Sequence, residues 1–218
     1  MRRMNSIARS LLALASLLCS TFVSAQIAPG RSGQSSMSYF GGQEAWDTLA
    51  EFGECFASQQ RTEALRLVST RPDSIEEVDA YKRIFRPQNQ SCLSLASEMR
   101  ISYQMVRGAI AEGLYRRAVA VPPALAVVNA PEVSQVRNFM DAALCFTAKH
   151  RDQVRSLLTT TKLGTKKEDQ AITAILADMG TCIPANARRI SISSPMIRVR
   201  LAEAMWRLGE APTGHGAS

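Results

Sequence analysis

An all-α chain is the architecture this sequence predicts: two tandem four-helix units of about 90 residues, one disulfide in each, packed as a helical repeat or bundle. Three observations lead there. Sliding the chain along itself by 90 residues lays Cys55-Phe56 on Cys145-Phe146 and Cys92 on Cys182, so both cysteine pairs stand 37 residues apart. Neighbouring residues follow with small register changes. Arg61, Leu67 and Thr70 fall on Arg151, Leu157 and Thr160; an offset of 89 matches Arg100-Ile101-Ser102 to Arg189-Ile190-Ser191; and an offset of 91 matches Met105, Arg107, Ala111, Glu112 and Arg116 to Met196, Arg198, Ala202, Glu203 and Arg207. Within each copy, apolar residues recur at intervals of three and four, the period of a helix with one buried stripe, and few alternating strand patterns compete.

The elements can be taken in order. Arg2, Arg3 and Arg9 flank an apolar run from Leu11 to Leu18, and Val23-Ser24-Ala25 then offers small residues to a signal peptidase. Residues 1–25 thus read as a secretory signal cleaved near Ala25. The apolar run is about half the roughly 20 residues of a spanning helix, so no integral membrane span is expected after cleavage. A lipoprotein signal would need a small residue before Cys19, where Leu18 stands. Residues 26–43 are rich in Gly, Ser and Gln and are expected to be a disordered linker, as is the tail 209–218.

In the first unit, residues 44–117, the first helix carries Ala45, Leu49, Phe52 and Phe56, and a short second one carries Ala64, Leu67 and Val68. Ser74 with Glu77 makes a capping box after Pro72 and starts a third helix, whose expected core stripe is Ile75, Val78, Tyr81 and Phe85. The fourth begins at Ser102 and carries Val106, Ile110, Gly113 and Leu114. Residues 118–132 form an apolar connector expected to pack between the copies. In the second unit, residues 133–208, the equivalent stripes are Val133, Val136, Met140, Ala143 and Leu144; then Val154, Leu157 and Leu158; then Ile172, Ile175, Leu176 and Met179 after Thr165 with Glu168. The last is Ile197, Leu201, Ala204 and Met205, on a helix starting at Ser194 with Pro195 in its first position.

Cleavage of the signal removes Cys19 and leaves Cys55, Cys92, Cys145 and Cys182 in an oxidising compartment, where disulfides are expected. Four cysteines allow three pairings. An up, down, up arrangement brings the ends of the first and third helices together, which favours Cys55 with Cys92 and Cys145 with Cys182. Closing each loop is worth roughly 3.8 kcal/mol in the chain-entropy model.

Charge and chemistry narrow the function less. The formal charge is +7 for the full chain and +4 once Arg2, Arg3 and Arg9 leave, and all of the remaining excess lies in residues 131–218. Such asymmetry favours an anionic envelope component as a partner, as an alternative to an ordinary solvated face. His150 and His215 are the whole histidine complement, the cysteines lack close pairs, and no Gly-rich phosphate loop or serine elbow is present. No metal, cofactor or histidine-based relay is therefore expected. The acidic group Asp73, Glu76, Glu77 and Asp79 sits at a helix N-terminus, where it serves the helix dipole. Glu112 with Arg116, and Glu203 with Arg207, have the spacing of salt bridges along one helix face. Together with Arg107 and Arg198 they have a second reading, a pair of equivalent binding surfaces. Arg188, Arg189, Arg198, Arg200 and Arg207 form the densest basic cluster and suit phosphate or carboxylate groups. Nucleic acid is not an expected partner, because beyond Trp206 the cluster has no interleaved aromatic residues.

A signal sequence followed by two Cys-framed helical copies, each ending in an Arg and Ala-Glu helix (Arg107, Ala111, Glu112; Arg198, Ala202, Glu203), resembles uncharacterised exported proteins of alphaproteobacteria across residues 44–208. The resemblance implies a periplasmic or secreted location and carries over no activity. By elimination the expected role is non-enzymatic binding or scaffolding in the cell envelope through helical surfaces, with an unknown protein or anionic component as partner. The alternative is a carboxylate-dependent hydrolase acting on glycan.

Overall fold

A computed structural model describes residues 42–86, 90–93, 102–122, 129–185 and 192–209. The signal segment, the linker up to residue 41, Arg100, Arg188, Arg189 and the tail beyond Gly209 lie outside the described residues. Among the described residues the fold is all-helical. In order come α1 (Gln43–Gln59), α2 (Arg61–Ser69), α3 (Ile75–Ile84), the single turn α4 (Gln90–Leu93) and α5 (Tyr103–Arg116). A 3-10 turn at Val133–Gln135 precedes α6 (Phe139–Lys149), α7 (Arg151–Thr160), α8 (Lys166–Met179), a second 3-10 turn at Gly180–Cys182, and α9 (Ser194–Arg207). Long helix, short helix, capped helix, turn with cysteine, central helix: that order occurs twice.

The caps have local causes. Ser74 Oγ accepts from the Glu77 N–H and Thr165 Oγ1 from the Glu168 N–H, each satisfying one of the donors that a helix start leaves over. The reciprocal arm of the expected boxes lands one residue earlier. Glu77 Oε2 accepts from the Asp73 N–H at 2.7 Å and Glu168 Oε2 from the Gly164 N–H at 2.6 Å. Asp73 and Gly164 both have positive φ, 61° and 77°, so the two loops share a left-handed turn.

Three expectations are corrected. The first helix of the second unit does not run on from Val133. Asn138 and Asp141 form a capping box that restarts the chain at Phe139, with Val136 to Asn138 extended or irregular. The stripe expected on the third helix is rotated: Ile75, Val78 and Phe85 are 79%, 50% and 45% exposed, while Glu77, Ala80, Tyr81 and Ile84 face inward. Glu77 is drawn in by an arginine described below, and it turns the helix with it. Finally, α9 takes Ser193 as its N-cap, one residue earlier than expected.

Helices α5 and α9 form the centre, and each packs against the other as well as on its own neighbours. Every residue from Met105 to Tyr115 is buried, and so is every residue from Pro195 to Trp206 except the half-buried Met196. A Cβ on Gly108 would overlap the side chain of Val199, and Cβ atoms on Gly53 and Gly113 would overlap the backbones of Ala109 and Gly53. Glycine is thus what lets α5 approach α9 and α1 so closely. One cluster of buried side chains runs from Phe52 and Phe56 to Phe146, Leu201 and Trp206, so the halves share a core. A smaller cluster joins Trp46, Leu49, Met105 and Ala109 to Leu163 and Val199; Trp46 was absent from the expected stripe. Of the connector, Val119 is buried and its carbonyl accepts from Trp206 Nε1 at 3.0 Å.

The disulfides join Cys55 to Cys92 and Cys145 to Cys182, with Cα separations of 5.6 and 5.8 Å. Each ties the end of a long helix to the turn that follows the capped helix, within one half. Among the described residues no helix is long and apolar enough to cross a membrane.

Candidate functional site

Arg107 projects from α5 into the interior, where its exposure is zero. Its guanidinium donates to the Leu67, Val68 and Thr70 carbonyls at 2.9 Å, which closes the C-terminal end of α2. It also donates to Glu77 at 3.0 Å and to Glu203 of α9 at 2.8 to 3.1 Å. Arg198 repeats this from α9. It donates to the Leu157, Leu158 and Thr161 carbonyls at 3.3 to 3.4 Å, to Thr161 Oγ1 at 2.7 Å and to Glu112 of α5 at 2.7 and 3.0 Å. Each half therefore lends its glutamate to the other half's arginine, the reciprocal pattern of an isologous contact, here within one chain.

The second arginine of each motif closes the ring. Arg116 pairs with Glu112 at 2.8 Å and Arg207 with Glu203 at 3.0 Å, both at the four-residue spacing read from the sequence. Arg116 also donates to the Leu158 carbonyl and Arg207 to the Val68 carbonyl, so each again crosses to the opposite half. Burial alone would raise the carboxyl pKa of Glu112 and Glu203, but the charges and hydrogen bonds of Arg198 and Arg107 outweigh it and hold both below the ordinary 4.5. Arg107, Arg198 and Glu203 are wholly enclosed and Glu112 nearly so. They offer no binding surface in this chain; they hold it together.

A surface for a ligand lies beside this network. A cavity of about 1130 Å³ opens between the loop before α3, the start of α6 and the start of α9. Arg71, Arg137, Arg200 and Arg207 line it, with Asp73 and Asp141 the acidic residues among its described walls. Its apolar wall comes from Pro72, Phe139, Met140, Leu144, Ile192 and Met196. Ser74, Asn138 and Ser193, the N-caps of α3, α6 and α9, all border it, so three positive helix ends meet there. Asp141 is committed to its own cap, accepting from the Arg137 and Asn138 N–H groups at 2.9 and 3.3 Å. Arg200 is 7% exposed, and among the described residues its one hydrogen bond runs at 3.3 Å from NH1 to Glu203.

Of the basic cluster noted in the sequence, Arg200 and Arg207 reach the cavity, Arg198 belongs to the interior network, and Arg189 lies outside the described residues. Arg71, Arg137 and Phe139 were missed, because nothing local brings residues 71, 137 and 200 together. The mismatch between repeat copies was a usable signal: Ala109 corresponds to Arg200, and Leu49 to Phe139. Among the described residues no group of three or more His, Cys, Asp or Glu could hold a metal ion. No protein-family model, curated protein or solved structure matches the chain.

Proposed function

We propose that this chain is an exported, non-enzymatic binding protein of the cell envelope, and that it takes an anionic component of that compartment. The cavity carries the reading: four arginines against two aspartates, with three helix N-termini at its rim, make a basic pocket a little larger than the usual small-molecule site. Two disulfides agree with an oxidising compartment. Hydrolysis of glycan by a carboxylate pair would need two acids free to face a substrate, and at this cavity Asp141 is spent on its helix cap.

The test is recovery from the native compartment. Mature protein is isolated from exporting cells without denaturation, then unfolded, and the released molecules and co-isolated proteins are identified by mass spectrometry. An anionic component above background is the expected result. Recovery of neither a molecule nor a partner overturns the reading, and so does glycan hydrolysis abolished by Asp73→Asn or Asp141→Asn.

A further inference from the structure

The cavity has a counterpart in the other half that the chain fills with its own side chain. The repeat registers of 90 and 91 residues carry Arg200, Met196, Phe139 and Pro72 onto Ala109, Met105, Leu49 and Leu163. Those four, with Trp46 and Val199, make the smaller buried cluster. There the indole of Trp46 lies against Gly164 so closely that a Cβ would overlap it, and beside Ala109 and Leu163 only about 10 Å³ of space remains. At the cavity three substitutions undo this plug. Val136 stands where Trp46 does, in a segment that has left the helix; Asp73 replaces Gly164; and Arg200 replaces Ala109. The result is about 1130 Å³ of space with a nine-tenths buried guanidinium on its wall.

Resting on the binding reading above, we infer that this cavity is a site for an amphipathic organic anion, whose carboxylate or phosphate head meets Arg200 of α9 and whose apolar body lies where Trp46 lies in the other half. The chemistry of the walls divides accordingly. Arg200 offers a planar fork of donors matched to an oxyanion, while Phe139, Met140, Ile192 and Met196 offer an apolar bed. Among the described residues this guanidinium makes a single hydrogen bond, to Glu203, out of its five donors. Head and body contribute together: a bare anion leaves the apolar wall wet, and a neutral ring leaves the arginine with no oxyanion besides Glu203.

Calorimetric titration of the mature protein tests this with indole-3-acetate, 3-methylindole and acetate, and a sedimentation arm uses phosphatidylglycerol vesicles against phosphatidylcholine vesicles. Indole-3-acetate is expected to bind at least tenfold more tightly than either fragment. Arg200→Met is expected to weaken it tenfold or more with helical content unchanged. Met140→Trp, which fills the space and keeps every arginine, is expected to abolish it. Arg200-dependent sedimentation with phosphatidylglycerol, without binding of the free anion, would identify the source of the same head chemistry as a lipid. Equal binding of all three compounds, no binding in either arm, or binding untouched in both folded variants would overturn the inference. Recovery from the native protein of a small anion with no apolar body would overturn it too, while leaving the binding reading intact.

Discussion

Glu77 and Glu168 occupy equivalent places, yet their surroundings differ by fractions of an ångström that matter. Arg107 reaches Glu77 at 3.0 Å, whereas Arg198 stops 3.6 Å from Glu168, whose Oε1 is enclosed without a hydrogen bond from the described residues. Burial pushes the Glu168 carboxyl up to about 7, and the charge of Arg198 only partly offsets it. Between its ordinary 4.5 and about 7 the folded chain therefore keeps a proton that the unfolded chain releases. Stability from this group is complete below 4.5 and is lost as the pH rises through 7, by up to about 3 kcal/mol. Glu112 and Glu203 act with the opposite sign. Their contribution is present above 4.5 and fades as the pH falls through their lowered values. Comparing the native chain with Glu168→Gln cancels those shared effects. Urea titrations from pH 4.5 to 8 are expected to show the native chain losing stability relative to the variant, and a flat difference would refute the assignment. At this scale the sequence was half legible: Glu112 with Arg116 follows from spacing, but their partner Arg198 is 86 residues away.

At the scale of elements, apolar periodicity located most helices and mistook one face. Ile75, Val78 and Phe85 make a good stripe on paper, but the buried hydrogen bonds of Glu77 outweigh the burial of three side chains at a surface that water can reach. The repeat held the correction, since Glu77, Tyr81 and Ile84 align with Glu168, Ile172 and Ile175. Glycine at the crossing of α1 and α5 is the other decision made between elements. Gly53→Ala places a methyl against the Ala109 carbonyl and is expected to cost about 1–3 kcal/mol through forced displacement of the two helices. Gly180→Ala is the control: its φ of −53° suits any residue and nothing lies within 4 Å. That change is expected to stabilise by about 0.4–1 kcal/mol, through a less flexible unfolded chain. Equal effects of the two in chemical denaturation would contradict the close approach.

Across the whole molecule, the exchanged ion pairs and the shared core make the halves one cooperative unit. Removing one partner from a buried pair typically costs about 3–5 kcal/mol, because the other charge is left enclosed. Arg107→Met is therefore expected to lower stability by that amount in both halves together, as Glu203 sits across the junction. The two tryptophans report on this separately, with Trp46 in the first half and Trp206 in the second. Single-tryptophan versions carrying Trp46→Phe or Trp206→Phe are expected to unfold at the same denaturant concentration, before and after the arginine change. A first half that melts alone would show two domains in place of one.

The fold class, the order of helices, the caps at Ser74, Ser102 and Thr165 and the pairing of the cysteines could all be read along the chain, because each depends on residues a few positions apart or on a repeat that keeps its register. Which glutamate serves which arginine, which face of α3 turns inward and where space is left open depend on how α5 and α9 meet. Those choices belong to packing in three dimensions. A buried charge selects its partner by distance through the interior, and a cavity exists only where residues far apart in the chain fail to fill the volume that their counterparts fill.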